Sequence, residues 1–136
     1  MSFSASFCDP LKPDVIELGS INTSSIIETF REVPWSDYLE KMENARECDI
    51  HYSPTLEIEN NDNKHGLSIS AIGEKDNVAF FIFYKRPKHV RKYFGLIQKF
   101  DNHYSTEITG QTSATVIECL QALIDNQLDF LDNKIK

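Results

Sequence analysis

Asn77–Lys92, NVAFFIFYKRPKHVRK, is the stretch that decides the fold. It opens as the most apolar run in the chain and turns abruptly into the most basic one. Val78 to Tyr84 is seven apolar or aromatic residues without a charge, well short of the roughly 20 that a membrane-spanning helix needs. Bounded by Asp76-Asn77 and Arg86-Pro87 and rich in Phe, it reads as a β-strand covered on both faces. That reading places Phe81 or Phe83, or both, beneath a helix, in one core with Trp35 and Leu120. Five cations follow: Lys85, Arg86, Lys88, Arg91 and Lys92. Arg86-Pro87-Lys88 predicts a turn.

Working upstream, the period is two. Leu56 and Ile58 alternate with Glu57 and Glu59, and Leu67, Ile69 and Ala71 alternate with Ser68 and Ser70, which predicts two half-buried strands. Between them, Asn60 to Gly66 is hairpin-loop chemistry, and Gly73 to Asn77 is a second loop. Downstream, His89–Phe94 reads as a strand, with a short helix over Val90–Ile97 as the alternative. Gln98–His103 reads as a loop, and Tyr104–Thr109 as a last strand closed by Gly110.

Helical periodicity flanks the strands. Asn22-Thr23-Ser24-Ser25 supplies N-cap residues, and Ser25 and Glu28 have capping-box spacing. Ile26, Ile27, Phe30 and Val33 form one face of a helix that Pro34 ends. Trp35, Tyr38, Leu39, Met42 and Ala45 form the apolar stripe of a second helix. Thr112 or Ser113 caps a final helix with Val116, Leu120, Leu123, Ile124 and Leu131 on its apolar face, interrupted near Asp125-Asn126. Pro10 and Pro13 forbid a helix through the first twenty residues, which read as an N-terminal arm with a short strand at Val15–Leu18. The expectation is a single α+β domain over 1–136. It has an antiparallel meander of about four to five strands, with N-terminal helices and a C-terminal helix packed on it.

Composition bounds the function. A net charge of −7 and a pI near 5.0 argue against a nucleic-acid binder, which should be strongly basic. Three widely spaced cysteines, Cys8, Cys48 and Cys119, make no disulfide framework and predict a reducing compartment. The N-terminal MSFSASFCDPLKPD carries no signal-peptide pattern. Together these predict a cytoplasmic protein that is not inserted in a membrane.

No motif states a catalytic chemistry. The chain lacks G-x-S-x-G, a P-loop and G-x-G-x-x-G. Cys48 and His51, three apart, have no second Cys or His pair to complete a metal site. Cys119 falls on an apolar helix face, as a packed thiol does. The expectation is no catalytic residue, no metal and no cofactor. The basic run, interleaved with Tyr84, Tyr93 and Phe94, resembles a single-strand surface in composition. The same cations would equally guard a sticky strand against edge pairing or pair internally with acids.

Acids concentrate between Glu28 and Asp62. If the second helix and the Leu56–Asn60 strand lie side by side, Glu40, Glu43, Glu47, Glu57 and Glu59 form an acidic plate. Such a plate would attract a cationic protein and speed its encounter.

LEIEN at 56–60, GLSISAIG at 66–73, FFIFYKRPKHVRKYFGL at 80–96 and ITGQT at 108–112 resemble small bacterial immunity-type proteins. Those are encoded beside secreted polymorphic toxins and block the toxin in the cytoplasm. The resemblance covers roughly residues 52–126 and rests on structural rather than catalytic motifs. It implies a non-catalytic partner of a toxin, with the five glutamates above as the expected contact residues. Small acidic chaperones of type III secretion effectors are the second resemblance, and those are obligate dimers. Here the basic segment Val90–Phe100 is shorter than the helix such chaperones insert. A small uncharacterised enzyme is the third alternative. The partner implied is therefore a toxin or an effector protein, and a homodimer is compatible with either.

Overall fold

The computed structural model describes residues 2–92 and 97–136, with side chains described outside 88–103. Over the described residues the chain is α+β, a six-stranded antiparallel sheet with four helices. The strands are β1 (Phe3–Cys8), β2 (Ile16–Ile21), β3 (Thr55–Asn60), β4 (Gly66–Glu74), β5 (Asn77–Lys92) and β6 (Ile97–Gln111). The helices are α1 (Thr23–Glu32), α2 (Trp35–Asn44), α3 (Ser113–Ile124) and α4 (Leu128–Lys134), with a 3-10 turn at Glu47–Asp49. The sheet order is β2-β1-β3-β4-β5-β6. The expected meander β3 to β6 is present, and two further strands extend it.

Those two strands come from the first twenty-one residues. They are not an arm: β1 lies inside the sheet between β2 and β3. The cause is a period-two pattern in which Phe3, Ala5 and Phe7 are buried while Ser4 and Ser6 are half-buried on the other face. Pro10 and Pro13 lie in the connection between β1 and β2.

The sheet residues of the core share one parity. Phe3, Ala5, Phe7, Leu56, Ile58, Leu67, Ile69, Ala71, Phe80, Ile82 and Tyr84 pack with Ile26, Phe30, Trp35, Leu39, Val116, Leu120, Leu123, Leu131 and Ile135 in one core. The helices therefore cover one face of the sheet. β5 is not covered by helices on both faces, and its phase is opposite to expectation. Phe80 and Ile82 lie beneath the helices, with Trp35 and Leu120 in the same core. Phe81 and Phe83 are half-buried on the far face.

Local chemistry accounts for the helix ends. Pro34 cannot extend α1, and the Trp35 indole donates to the Phe30 carbonyl at 3.1 Å, satisfying one of the orphan acceptors there. The α1 N-cap is Asn22, ahead of the expected Ser25, and Ser25 instead accepts the Thr29 hydroxyl at its carbonyl, 2.7 Å. Thr112 caps α3 by accepting the Thr115 amide at 3.3 Å. Asn126, at φ 56°, takes the left-handed conformation that separates α3 from α4.

Residues 86–88 and 98–103 depart from the expected turn and loop. β5 continues through Pro87 to Lys92, and β6 begins at Ile97. β4 stops pairing at Gly66 opposite Lys85, so beyond that point β5 and β6 pair only with each other. Proline is tolerated where one side of a strand has no neighbour, and the register shifts between Arg86 and Lys88. The backbone of 90–92 is strand; the rest of the alternative helix, 93–96, lies outside the described residues, and with it Tyr93 and Phe94. Among the described residues no helix is long and apolar enough to cross a membrane.

Candidate functional site: the helix-free face of the sheet

The residues alternating with the core set build a second surface. Strand pairing aligns Glu17 of β2 with Ser6 of β1, Ser6 with Glu57 of β3, Glu57 with Ser68 of β4, Ser68 with Phe83 of β5, and Phe83 with Glu107 of β6. Directly paired residues point to the same face. One line of side chains thus crosses all six strands, running acid, serine, acid, serine, aromatic, acid. Glu59 and Lys85 lie on the same face, on either side of Gly66.

Glu57 is the hub. Its Oε2 accepts the Ser6 hydroxyl at 3.4 Å, and its Oε1 accepts the Ser68 hydroxyl at 3.3 Å and faces Lys85 Nζ at 3.7 Å. Around it is a shallow depression of about 190 Å³, lined also by Ser4, Glu17 and Glu59. At Gly66 an added Cβ would stand 2.9 Å from the Ile58 carbonyl oxygen, so this floor admits no side chain. Beside the depression, the Phe81 and Phe83 rings stack with centroids 5.8 Å apart and planes at 22°. They shelter Ser68 and Ser70, which are only 6% and 9% exposed. Ser70 exchanges a hydrogen bond of 2.7 Å with Thr55.

The expected plate of five glutamates is divided. Glu40 and Glu43 lie on α2 and Glu47 opens the 3-10 turn, on the helical side of the sheet. Glu57 and Glu59 face the other way. Glu40 is also engaged locally, with Lys75 at 3.3 Å. The helices cover the face that Leu56 and Ile58 present, so the glutamates alternating with those residues must point away from α2. The sequence reading missed Glu17, Glu107 and the stacked phenylalanines. Strand pairing brings them together, and only the alternation in β1 and β3 signals it.

The basic run is used internally where it is described. Lys85 faces Glu57, and Arg86 is buried under α4. Arg86 Nη1 donates to the Tyr84 carbonyl at 2.9 Å and to Thr106 Oγ1 at 2.7 Å, and its Nε faces Asp132 Oδ1 at 3.3 Å. Thr106 in turn donates to the Ile135 carbonyl at 2.7 Å. The guanidinium lies over the Tyr84 ring at 4.1 Å and the Tyr104 ring at 4.8 Å. His65 Nδ1 and the Tyr84 hydroxyl share a 2.6 Å hydrogen bond. These side chains are mutually satisfied, so the cluster acts as a clamp.

That clamp titrates in a defined way. Burial pushes the Tyr84 hydroxyl up to about 12; Asp132 and Asp129 add to this and Arg86 opposes it. Burial pulls the His65 imidazole down; Asp132 opposes this and Arg86 adds to it. Above pH 10 the unfolded chain loses the tyrosine proton that the folded chain keeps, so stability falls as pH rises from about 10 to 12. Below about pH 6.5 the unfolded chain takes up the histidine proton first, so stability also falls with acid. At about 1.36 kcal/mol per unit, the alkaline loss is roughly 2–3 kcal/mol. In an ultraviolet titration, one of the five tyrosines should ionise near pH 12, and Tyr84→Phe should remove that step. If that late step is absent, the hydroxyl is wet and the clamp is open.

The thiols divide by burial. Cys8 and Cys119 are buried and Cys48 is exposed. Burial, with Glu118 adding, pushes Cys119 up to about 11, which suits a packed thiol and not a thiolate nucleophile. Cys48 contacts Asp49 at 4.0 Å. Among the described residues, no three His, Cys, Asp or Glu side chains converge as metal ligands would. Comparison with known proteins returns nothing: no family model, no curated protein and no solved structure matches this chain.

Proposed function

We propose that this chain is a non-catalytic immunity-type protein that binds and neutralises a cationic bacterial toxin domain on its helix-free sheet face. One observation carries the reading. A stacked aromatic pair on β5 shares a face that no helix covers with Glu107 on the neighbouring β6 and, beyond the β4 serines, with Glu57, Glu59 and Glu17 on β3 and β2, with Lys85 the cation among the described side chains there. Half-buried aromatics with polar and charged residues beside them are the usual make-up of a binding hot spot and its rim. The acids suit a nuclease-like partner, whose substrate cleft must be cationic to hold phosphates. Serines bonded straight to a carboxylate, with His65 committed to Tyr84 on the other side of the sheet, supply no relay for nucleophilic catalysis.

The test uses the secreted toxin domain encoded beside this chain. Reversing Glu57 and Glu59 together to Lys should slow association roughly tenfold at low salt. The effect should shrink at physiological ionic strength, where the screening length is about 8 Å. Reversing Glu43 and Glu47 on the helical side should change the rate by less than about twofold. Phe83→Ala should mainly speed dissociation. Absence of a complex sinks the reading, and an unchanged rate in the Glu57/Glu59 variant moves the interface off this face.

A further inference from the structure

We propose that the edge strand β2 and the groove beside it accept an extended segment of a partner protein as a seventh strand, one that alternates apolar residues with Lys or Arg. This surface shares only Glu17 with the helix-free face, and its test needs no toxin.

β2 pairs only with β1, so its outer backbone groups have no strand partner. Such an edge is a template for strand addition unless it is blunted. Its one charged residue, Glu17, points to the helix-free face, so the groove side of the edge is not blunted by charge. Among the described side chains, the exposed large apolar residues are Leu11, Val15 and Leu18, 39–46% exposed. All three lie on β2 or on the connection leading into it. A bulge makes Leu18 and Gly19 together oppose Ala5, with Gly19 at φ 75°. Bulges re-aim side chains, and Leu18 stands over the helical side of the edge. There it lines a groove of about 290 Å³ with Phe7, Ile16, Val33, Pro34 and Tyr38. Across Pro34 and Tyr38 the groove continues into a second depression reaching Leu11. Because the bulge interrupts the ladder, a guest strand pairs along Val15–Leu18, placing alternate side chains in the groove.

Charge selects the occupant. Glu32 and Asp37 line the two depressions with one lining cation, Lys41, while Glu40 there is already paired with Lys75, and Glu17 projects from the other face of β2. A guest whose apolar residues enter the groove carries its cations on the opposite face, beside Glu17, while the acids at the groove add longer-range attraction. A second copy of this chain would bring Glu17 and Glu32 of both copies into one seam, between molecules that each carry −7.

Titrate isotopically labelled full-length protein with a short blocked peptide of alternating valine and lysine, following backbone amides by NMR. Shifts should concentrate on Val15–Ile21, Val33 and Tyr38. Leu18→Lys should weaken binding roughly tenfold or more, the loss of a partly buried leucine contact. Glu32→Lys should weaken it roughly threefold, and a serine–lysine peptide should bind roughly tenfold less tightly than the valine–lysine one. Leu18 is half exposed, so its replacement leaves the fold intact, which an unchanged melting temperature checks. Three results overturn the proposal: no shifts on β2, shifts centred on Glu57 and Glu59, or equal binding of the serine–lysine peptide. A dimer by light scattering that Leu18→Lys dissociates would also overturn it, by assigning the groove to a second copy.

Discussion

Phe80→Ala should destabilise the protein by about 3–5 kcal/mol, while Phe81→Ala and Phe83→Ala should each cost about 1 kcal/mol or less. The difference follows from the pleat. Phe80 is 4% exposed. It meets the Trp35 ring edge-on at 5.5 Å and 85°, and the Phe30 ring at 5.4 Å and 61°. Phe30 and Trp35 are themselves 5.6 Å apart, so the three rings form one cluster joining β5 to the α1–α2 corner. Deleting Phe80 leaves a cavity that two rigid rings cannot close, which puts the cost at the upper end of the range. Phe81 and Phe83 lose one stacked partner and some contact with the serines of β4, in a place water already reaches. For a domain of this size the Phe80 variant should melt roughly 10–20 °C lower. Denaturant and thermal unfolding of the three variants give the comparison. If Phe81→Ala proves the costlier change, β5 is out of phase by one residue and the interface face proposed above is wrong with it.

That phase was the part of the fold least legible in the sequence. In β3 and β4, acids and serines alternate with Leu and Ile, so the pattern itself marks which side is buried. From Val78 to Tyr84 every residue is apolar, and a uniform run gives no sign of which parity faces the helices. Only pairing with β4 resolves it, because Phe81 lies opposite Ser70 and Phe83 opposite Ser68. β1 carried a readable signal, Phe3, Ala5 and Phe7 between serines, but two nearby prolines outweighed it and gave an arm. Pro87 misled in the same way: a proline suggests a turn in a central strand but is tolerated where a strand has one neighbour. The helices were legible because their stripes are long and Pro34 and Asn126 punctuate them. The acidic residues were legible one by one. Their division between two faces required knowing which side of β3 the helices cover.

Arg86→Ala should cost about 3 kcal/mol, toward the lower end for removing one member of a buried ion pair. The guanidinium is nearly dry, with its side chain 6% exposed, whereas the Asp132 carboxylate is 51% exposed. What is lost is therefore mostly the filling between the Tyr84 and Tyr104 rings and the donor to Thr106, not a desolvated charge pair. Asp132→Asn should cost less, about 1–2 kcal/mol, because Arg86 keeps the Tyr84 carbonyl and Thr106 as acceptors. Arg86→Lys should not rescue the site, since a single ammonium cannot stack between two rings and bond three acceptors from one plane. The position of the clamp sets a second, local readout. Arg86 lies where β5 leaves β4 and continues with β6 alone, and Thr106 ties that point to the Ile135 carbonyl after α4. Amide exchange across Leu131–Ile135 should therefore quicken in Arg86→Ala more than across α3, which is held by its own buried residues. A double-mutant cycle between Arg86→Met and Asp132→Asn should give a coupling of about 0.5–1.5 kcal/mol. A coupling near zero, with α4 exchange unchanged, would show that the aromatic rings alone hold the cation and that α4 is anchored only by Leu131 and Ile135.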